Sequence, residues 1–181
     1  MTADARTGLR DSLPWPLHLR EGVLVGDVLG ISPQVCRSTW SRLNPSVAHG
    51  LARLRVDVLV SEAGVPRPEL DDADVDPATE HLWVPDGETP VACLRTIRDV
   101  DGVPVIDRAC ARPDVRRLGL VSALVTDVVA RYGSGGLRVL ARTGTVTFFA
   151  RHGFEVSGVP LEWCGARVTP MQRHPEVPWR D

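Results

Sequence analysis

Two arginines, Arg116 and Arg117, stand just ahead of Gly119 and a long apolar-periodic segment. Of all the residues in this chain, these are the ones whose types and spacing best suit chemistry. They lie inside VPVIDRACARPDVRRLGLVSALVTDVVARY, residues 103 to 132. Leu120, Val121, Leu124, Val125, Val128, Val129 and Tyr132 recur at helical spacing, and Gly133 closes that helix. The preceding run, Val103 to Ala111, reads as a buried strand, so a proline-broken turn carries the chain from strand to helix start. Such a turn leaves free backbone N–H groups at the positive end of a helix dipole, here with two guanidinium groups beside them. That arrangement holds a phosphate or pyrophosphate. A ligand with a diphosphate or a phosphopantetheine arm is the chemistry these residues imply.

Composition narrows the choice. A formal net charge of −2 gives no electrostatic footing for non-specific nucleic-acid binding. All 21 basic residues are arginine, so no lysine is present as base, Schiff-base former or phosphate ligand. Cys36, Cys93, Cys110 and Cys164 are widely spaced without a C-x-x-C, and Cys93 and Cys110 fall in apolar runs. Buried, reduced thiols are expected. Asp72, Asp74 and Asp76 have the alternation of a calcium loop, but Pro77 and Trp83 stand where an EF-hand needs Gly and Glu. The expectation is a solvated acidic loop from Arg67 to Thr79, and no metal. The first thirty residues lack the continuous apolar stretch of a signal peptide, and no run reaches the length of a membrane span. A soluble, cytoplasmic protein without a membrane partner is expected.

The elements that must position these residues can be read from turn signals and periodicity. A chain of 181 residues, 43% hydrophobic, supports one domain with its own core. Residues 1–33 read as an arm of undecided structure, 34–174 as the domain and 175–181 as a tail. Val35 to Trp40 suits a first strand, and Asn44-Pro45-Ser46 starts a helix whose apolar face is Val47, Leu51, Leu54 and Val58. Strands at His81 to Val84, Val91 to Arg98 and Val103 to Ala111 are separated by Asp86-Gly87 and Asp101-Gly102 turns. After the long helix come a strand at Leu137 to Ala141, a short helix at Val146 to Arg151, and strands at Phe154 to Val156 and Arg167 to Met171. This is a mixed sheet with helices on its faces, in the α/β or α+β class.

Four segments in this order resemble the GNAT superfamily of acyl-CoA-dependent N-acetyltransferases, and most closely its ElaA-like branch. They are LxxLRxDVxVxEAGVP at 51–66, with Arg55 and Glu62; ELDDADVDPATEH at 69–81, ending in Thr79 and His81; IDRACARPDVRRLGLVSALV at 106–125; and FFARHGFEVSG at 148–158. The resemblance covers roughly residues 35 to 173. It implies a mostly antiparallel sheet splayed between strands 4 and 5, with helices on both faces. It also implies a pantetheine thioester, acetyl-CoA or another acyl-CoA, lying along strand 4. Ala109, Cys110 and Ala111 would then pair with the pantetheine amides, and the turn Arg116, Arg117, Leu118, Gly119, Leu120, Val121 and Ser122 would face the diphosphate, with Phe148 beside the donor. The reaction implied is transfer of an acetyl or other small acyl group to a primary amine of a small molecule by direct attack.

Two departures fall on positions that matter in the family. Val121 stands where the loop has Gly or Ala, and a β-branched side chain there crowds backbone and ligand. Phe149 stands where the family has the tyrosine that reprotonates the leaving thiolate, and a phenyl ring does no acid–base work. Tyr132, the one tyrosine, lies at the far end of the long helix and reads as core. Two further readings therefore stay open: a phosphopantetheinyl carrier protein as donor, met by Arg112, Arg116 and Arg117, and a non-catalytic acyl-CoA-binding module. His81 and Glu162 are the candidates for a base. Asp107 and Cys110 are adjacent candidates on the central strand, with their facing undecided. Arg95, Arg108 and Arg142 are candidates to hold a substrate carboxylate, with ion pairing inside the protein as the competing task. His152 reads as helix-end structure. The partners implied are a small-molecule amine and, held open, an acyl carrier protein and a second copy of the chain.

Overall fold

The computed structural model describes residues 33–64 and 66–175. Most of the arm expected at 1–33, and the tail from 176 onward, lie outside the described residues. The first strand, β1 (Cys36–Ser38), is shorter than expected because the chain turns at once into a 3-10 turn at Trp40–Arg42. Asn44 caps α1 (Pro45–Arg55), its side chain accepting from Ser46 N at 2.9 Å, with proline in the first turn as read. The helix then widens into a π-helical stretch, Val56–Glu62.

The remaining elements are α2 (Asp72–Val75), β2 (Glu80–Asp86), β3 (Thr89–Arg98), β4 (Pro104–Ala111), α3 (Leu120–Tyr132), β5 (Leu137–Arg142), α4 (Val146–Ala150), β6 (Glu155–Val156), β7 (Leu161–Trp163) and β8 (Ala166–Arg173). One mixed sheet runs β1-β2-β3-β4-β5-β8-β6, with β7 also pairing β8. All pairs are antiparallel except β4 with β5. One side of the sheet packs Leu82, Leu94, Ile106 and Val139 under α3 (Leu120, Leu124, Val125, Val128) and α4 (Phe149). The other packs Cys93 and Cys110 under Leu51, Leu54 and Leu59 of the first helical segment. Helices therefore lie on both faces, as expected.

Three features differ from the sequence reading, each for a local reason. The hairpin β7–β8 was not expected as two strands. Its turn is Cys164-Gly165, both at positive φ (48° and 73°), and a cysteine there carries none of the usual turn signal. The acidic segment is solvated only in part: Asp71, Asp72 and Asp76 are exposed, but α2 folds the segment back and Glu69 and Asp74 are 4% and 2% exposed. The third difference is on β4. Arg95 pairs with Asp107 and Cys93 with Cys110, so Leu94 alone faces Arg108 and Ala109. Arg108 sits in the bulge with φ of 53°. The extra residue flips the strand's facing, so Ile106, Ala109 and Ala111 pack on the α3 side while Cys110 packs on the α1 side. Simple alternation would have put residues 106 and 110 on the same face.

Candidate active site

The sheet opens between β4 and β5. The two strands pair only at Val105 with Arg138 and at Ile106 with Val139. Beyond Ile106 they part: β5 continues along β8 to the pair Arg142 and Val168, and β4 continues along β3 to Ala111. Residues 107–111 therefore have a strand partner on one edge and none on the β5 edge. This is the splay expected between strands 4 and 5. A fixed, extended row of peptide groups facing a gap can bind an extended ligand by its own amides, as an added strand would.

The open edge leads into the helix start expected to meet phosphate. A 3-10 turn at Pro113–Val115 ends β4, and Arg117 and Gly119 adopt left-handed conformations (φ of 66° and 77°) before α3 begins. A Cβ on Gly119 would meet nothing within 4 Å, so glycine is required there by conformation and not by space. The first bond of α3 runs from Ala123 N to Gly119 O at 2.9 Å, which leaves the amides before it pointing out of the helix end. Arg116 is tied back: its guanidinium pairs with Glu62 at the end of the π-helical stretch, and its Nε donates to the Ala111 carbonyl at 3.2 Å. Arg112 pairs with Asp114. Arg117 and Leu118 are exposed. Val121 turns its side chain onto the α3-side core. Ser122, in the first turn, has its hydroxyl 3.1 Å from His152 Nε2, and Phe148 packs edge-on against the same imidazole. Burial holds the His152 pKa below its ordinary value. His152 thus links α4 to the head of α3, a connection that helix-end reasoning missed. The only signal for it was a histidine directly before the glycine of HGFEV.

Below the gap, on the α1 side, lies an ionic cluster. Arg55 is 2% exposed; its Nε donates to Glu69 at 3.0 Å and its Nη1 to Asp74 at 2.6 Å. Arg95, also 2% exposed, bonds Asp71 through Nη1 at 2.6 Å and Asp107 through Nη2 at 2.7 Å, and lies 2.7 Å from Asp74. Arg108 meets Asp71, Asp107 and Glu69. Arg67 donates to Glu69 at 3.0 Å. Burial raises the Asp74 pKa, but the Arg55 bond and charge, the Asp71 amide and the Arg95 charge outweigh it and hold Asp74 at about 2. His81 is 2% exposed, with Nε2 3.0 Å from the Asp74 carbonyl oxygen and its ring against Trp40. Burial pushes its pKa down, so it is neutral and donates that bond.

Of the residues expected to do chemistry, Ala109, Cys110, Ala111 and the turn to Ser122 come together along the gap. Arg95 has every donor group turned to a carboxylate, so the competing reading, ion pairing within the protein, describes its placement. Glu162 lies on β7 and is exposed, away from His81. Phe149 is 5% exposed and stacks edge-on with Phe148 and Phe154. Tyr132 donates to Glu80 at 2.7 Å, with its pKa pushed up to about 12 by burial and that bond. Cys110 Sγ lies 3.6 Å from Cys93 Sγ; the bond to Cys93 and burial push its pKa up, so it remains a thiol. Among the described residues, no group of His, Cys, Asp or Glu could hold a metal ion. No helix among them is long and apolar enough to cross a membrane.

The model of the acetyltransferase (GNAT) domain family matches residues 71–174. The chain belongs to the GNAT acetyltransferase family. A Mycobacterium tuberculosis relative, UPF0039 protein Rv2851c, is 33% identical over 147 residues, covering 77% of this chain and 93% of that protein. Among solved structures, an acyl-CoA N-acyltransferase from Pseudomonas aeruginosa superposes with a TM-score of 0.70 at 21% identity, covering 79% of this chain and 100% of the other. Escherichia coli ElaA gives 0.69 at 21% identity with the same coverage. The GNAT fold accounts for the parted β4 and β5 strands and for the glycine-started α3, and ElaA stands among its structural neighbours as the sequence resemblance implied.

Proposed function

We propose that this GNAT protein transfers an acetyl or other small acyl group from the pantetheine thioester of acetyl-CoA, or another acyl-CoA, to a primary amine. The observation that carries the reading is the open edge of β4 beyond Ile106, running directly into the Gly119-started helix α3. The edge amides of residues 109–111 bind the pantetheine arm. The head of α3, with Ser122 held by His152, receives the diphosphate. Because the Val121 side chain packs on the core, its bulk is turned away from that head, which favours free CoA over a carrier-bound phosphopantetheine.

In the reaction the amine nitrogen bonds to the acyl carbon and the carbon–sulfur bond breaks; the proton shed by nitrogen goes to a base or to water, and the departing sulfur takes one from solvent after it has left. Positioning and carbonyl polarisation by fixed peptide N–H groups supply the rate. Phe149 donates no proton, so the sulfur leaves as a thiolate, acceptable for a group whose thiol pKa is about 8.5. General acid catalysis is worth about 10²–10⁴-fold, so its loss slows the transfer without abolishing it. His81, sealed behind Trp40 and bonded to Asp74, serves as a positioning residue for α2 in this reading. Glu162, exposed on β7, remains the candidate base.

Thiol release is the test. Full-length protein with acetyl-CoA and a panel of primary amines is expected to release free CoA with at least one amine, above the rate of thioester hydrolysis. Tight CoA binding with no release from any amine and any acyl-CoA would favour the binding-module reading. Release from an acyl carrier protein alone would move the donor assignment.

A further inference from the structure

Arg142 ends β5 at the mouth of the gap, and its Nη2 is enclosed with no hydrogen-bond partner. It stands beside Arg67 and Arg108, whose charges add to burial in lowering its pKa, with Glu69 as the attracting carboxylate. Glu69 is already shared among three other guanidinium groups, those of Arg55, Arg67 and Arg108. Arg67 Nε is likewise enclosed without a partner. Arg108 Nε lies 2.9 Å from Glu69 but off the line that a hydrogen bond needs. Counted as a unit, the cluster sets five guanidinium groups (Arg55, Arg67, Arg95, Arg108, Arg142) against four carboxylates (Glu69, Asp71, Asp74, Asp107). It is short of one negative charge, and of the residues with unpartnered donors Arg108 is carried by β4 and Arg142 by β5, the two strands that border the gap.

An enclosed guanidinium nitrogen without a partner destabilises a fold, and other residues would fill the position without that penalty. We infer that Arg142, with Arg67 and Arg108, forms a carboxylate pocket at the β4–β5 gap, and that the acceptor is an amine bearing a carboxylate, an amino acid or a close relative. A carboxylate supplies the one missing charge, and its planar pair of oxygens matches the forked donors of a guanidinium. A phosphate dianion would overshoot that charge. The inference deepens the acyl-transfer reading and rests on it for the role of the bound molecule as acceptor. The pocket itself rests on the unpartnered donors alone. Arg95, although on the neighbouring strand, is not part of it, because its donors are taken by Asp71 and Asp107.

Two measurements on the full chain test the pocket and its use separately. The first is thermal denaturation with N-acetyl amino acids and their N-acetyl amino acid amides as probes, on the native protein and on Arg142→Gln. At least one acid is expected to raise the native midpoint while its amide does not, and Arg142→Gln is expected to abolish that rise. Without probe, Arg142→Gln is expected to melt at or above the native temperature, since it removes an unpaired, like-charge-crowded cation; an arginine with a merely structural task would give a lower midpoint. The second is acetyl-CoA-dependent acylation of amino acids against amino acid amides. The acids are expected to be preferred, with Arg142→Gln raising their KM by about 10- to 100-fold and changing kcat little. Equal use of acids and amides, a preference unaffected by Arg142→Gln, no stabilisation by any acid, or a clearly lower midpoint for the variant would each overturn the pocket. Arg142-dependent stabilisation by an acid with no acyl transfer to any amine would uphold the pocket and bring down the acyl-transfer reading.

Discussion

At the scale of single residues, the acidic segment before β2 shows how much a short stretch of carboxylates can be asked to do. Asp74 is enclosed between Arg55 and Arg95 and accepts the Asp71 amide at 3.0 Å. Its pKa falls from 3.8 to about 2 on folding. A depressed carboxylate contributes stability that is fully present above its unfolded pKa and is lost as pH falls through the folded value. Asp74 therefore contributes about 2 kcal/mol above pH 3.8, lost progressively between there and about pH 2. Replacing it with Asn leaves two buried guanidinium groups short of a counter-charge, and a loss of about 3 kcal/mol is expected in urea denaturation at pH 7. The same Asp74→Asn chain should lose less stability than the native one between pH 4 and pH 2. Equal acid sensitivity of the two chains would contradict this account. The thiols give a second expectation. Cys164 is exposed, Cys36 half-buried, and Cys93 and Cys110 buried against one another. An alkylating reagent under native conditions should label Cys164 first and leave Cys93 and Cys110 unmodified until the protein unfolds, read by peptide mass spectrometry. Labelling of Cys110 in the native state would mean that its strand face is open.

At the scale of elements, legibility followed the strength of local signals. The long helix was readable from seven apolar positions at helical spacing, and α3 ends within a residue of where Gly133 closes it. The β2–β3 and β3–β4 hairpins were readable from Asp-Gly turns, and Gly87 and Gly102 take the positive φ those turns require. The bulge at Arg108 was not readable, because an arginine at positive φ carries no compositional mark. That single residue puts Asp107 and Cys110 on the same α1 side, where simple alternation would have put them on opposite faces, so the facing of the central strand stayed open until the register was known. The π-helical stretch from Val56 was hidden for a related reason: its apolar pattern continues that of α1. The burial of Glu69 and Asp74 needed Arg55, Arg95 and Arg108 from three other elements, and no window of sequence contains them all. For the same reason Arg142 was legible as a candidate and Arg67 was not.

At the scale of the molecule, the sheet is two halves joined by a narrow seam. Strands β1 to β4 form one half and β5, β8, β6 and β7 the other, with two residue pairs between β4 and β5 and the core under α3 closing the join. A sheet that leaves half of a central strand unpaired gives up backbone bonds along that edge, and the open edge is the feature from which the proposed donor site follows. The most direct measurement is hydrogen exchange by mass spectrometry on the full chain, with and without saturating CoA. Amides of residues 107–111 and 117–122 are expected to exchange readily in the free protein and to gain protection together when CoA is added. The cluster around Asp74, already bonded internally, should change little. Protection of the β4 edge and the head of α3 is the result this account predicts; CoA that binds without slowing exchange in either segment would contradict it.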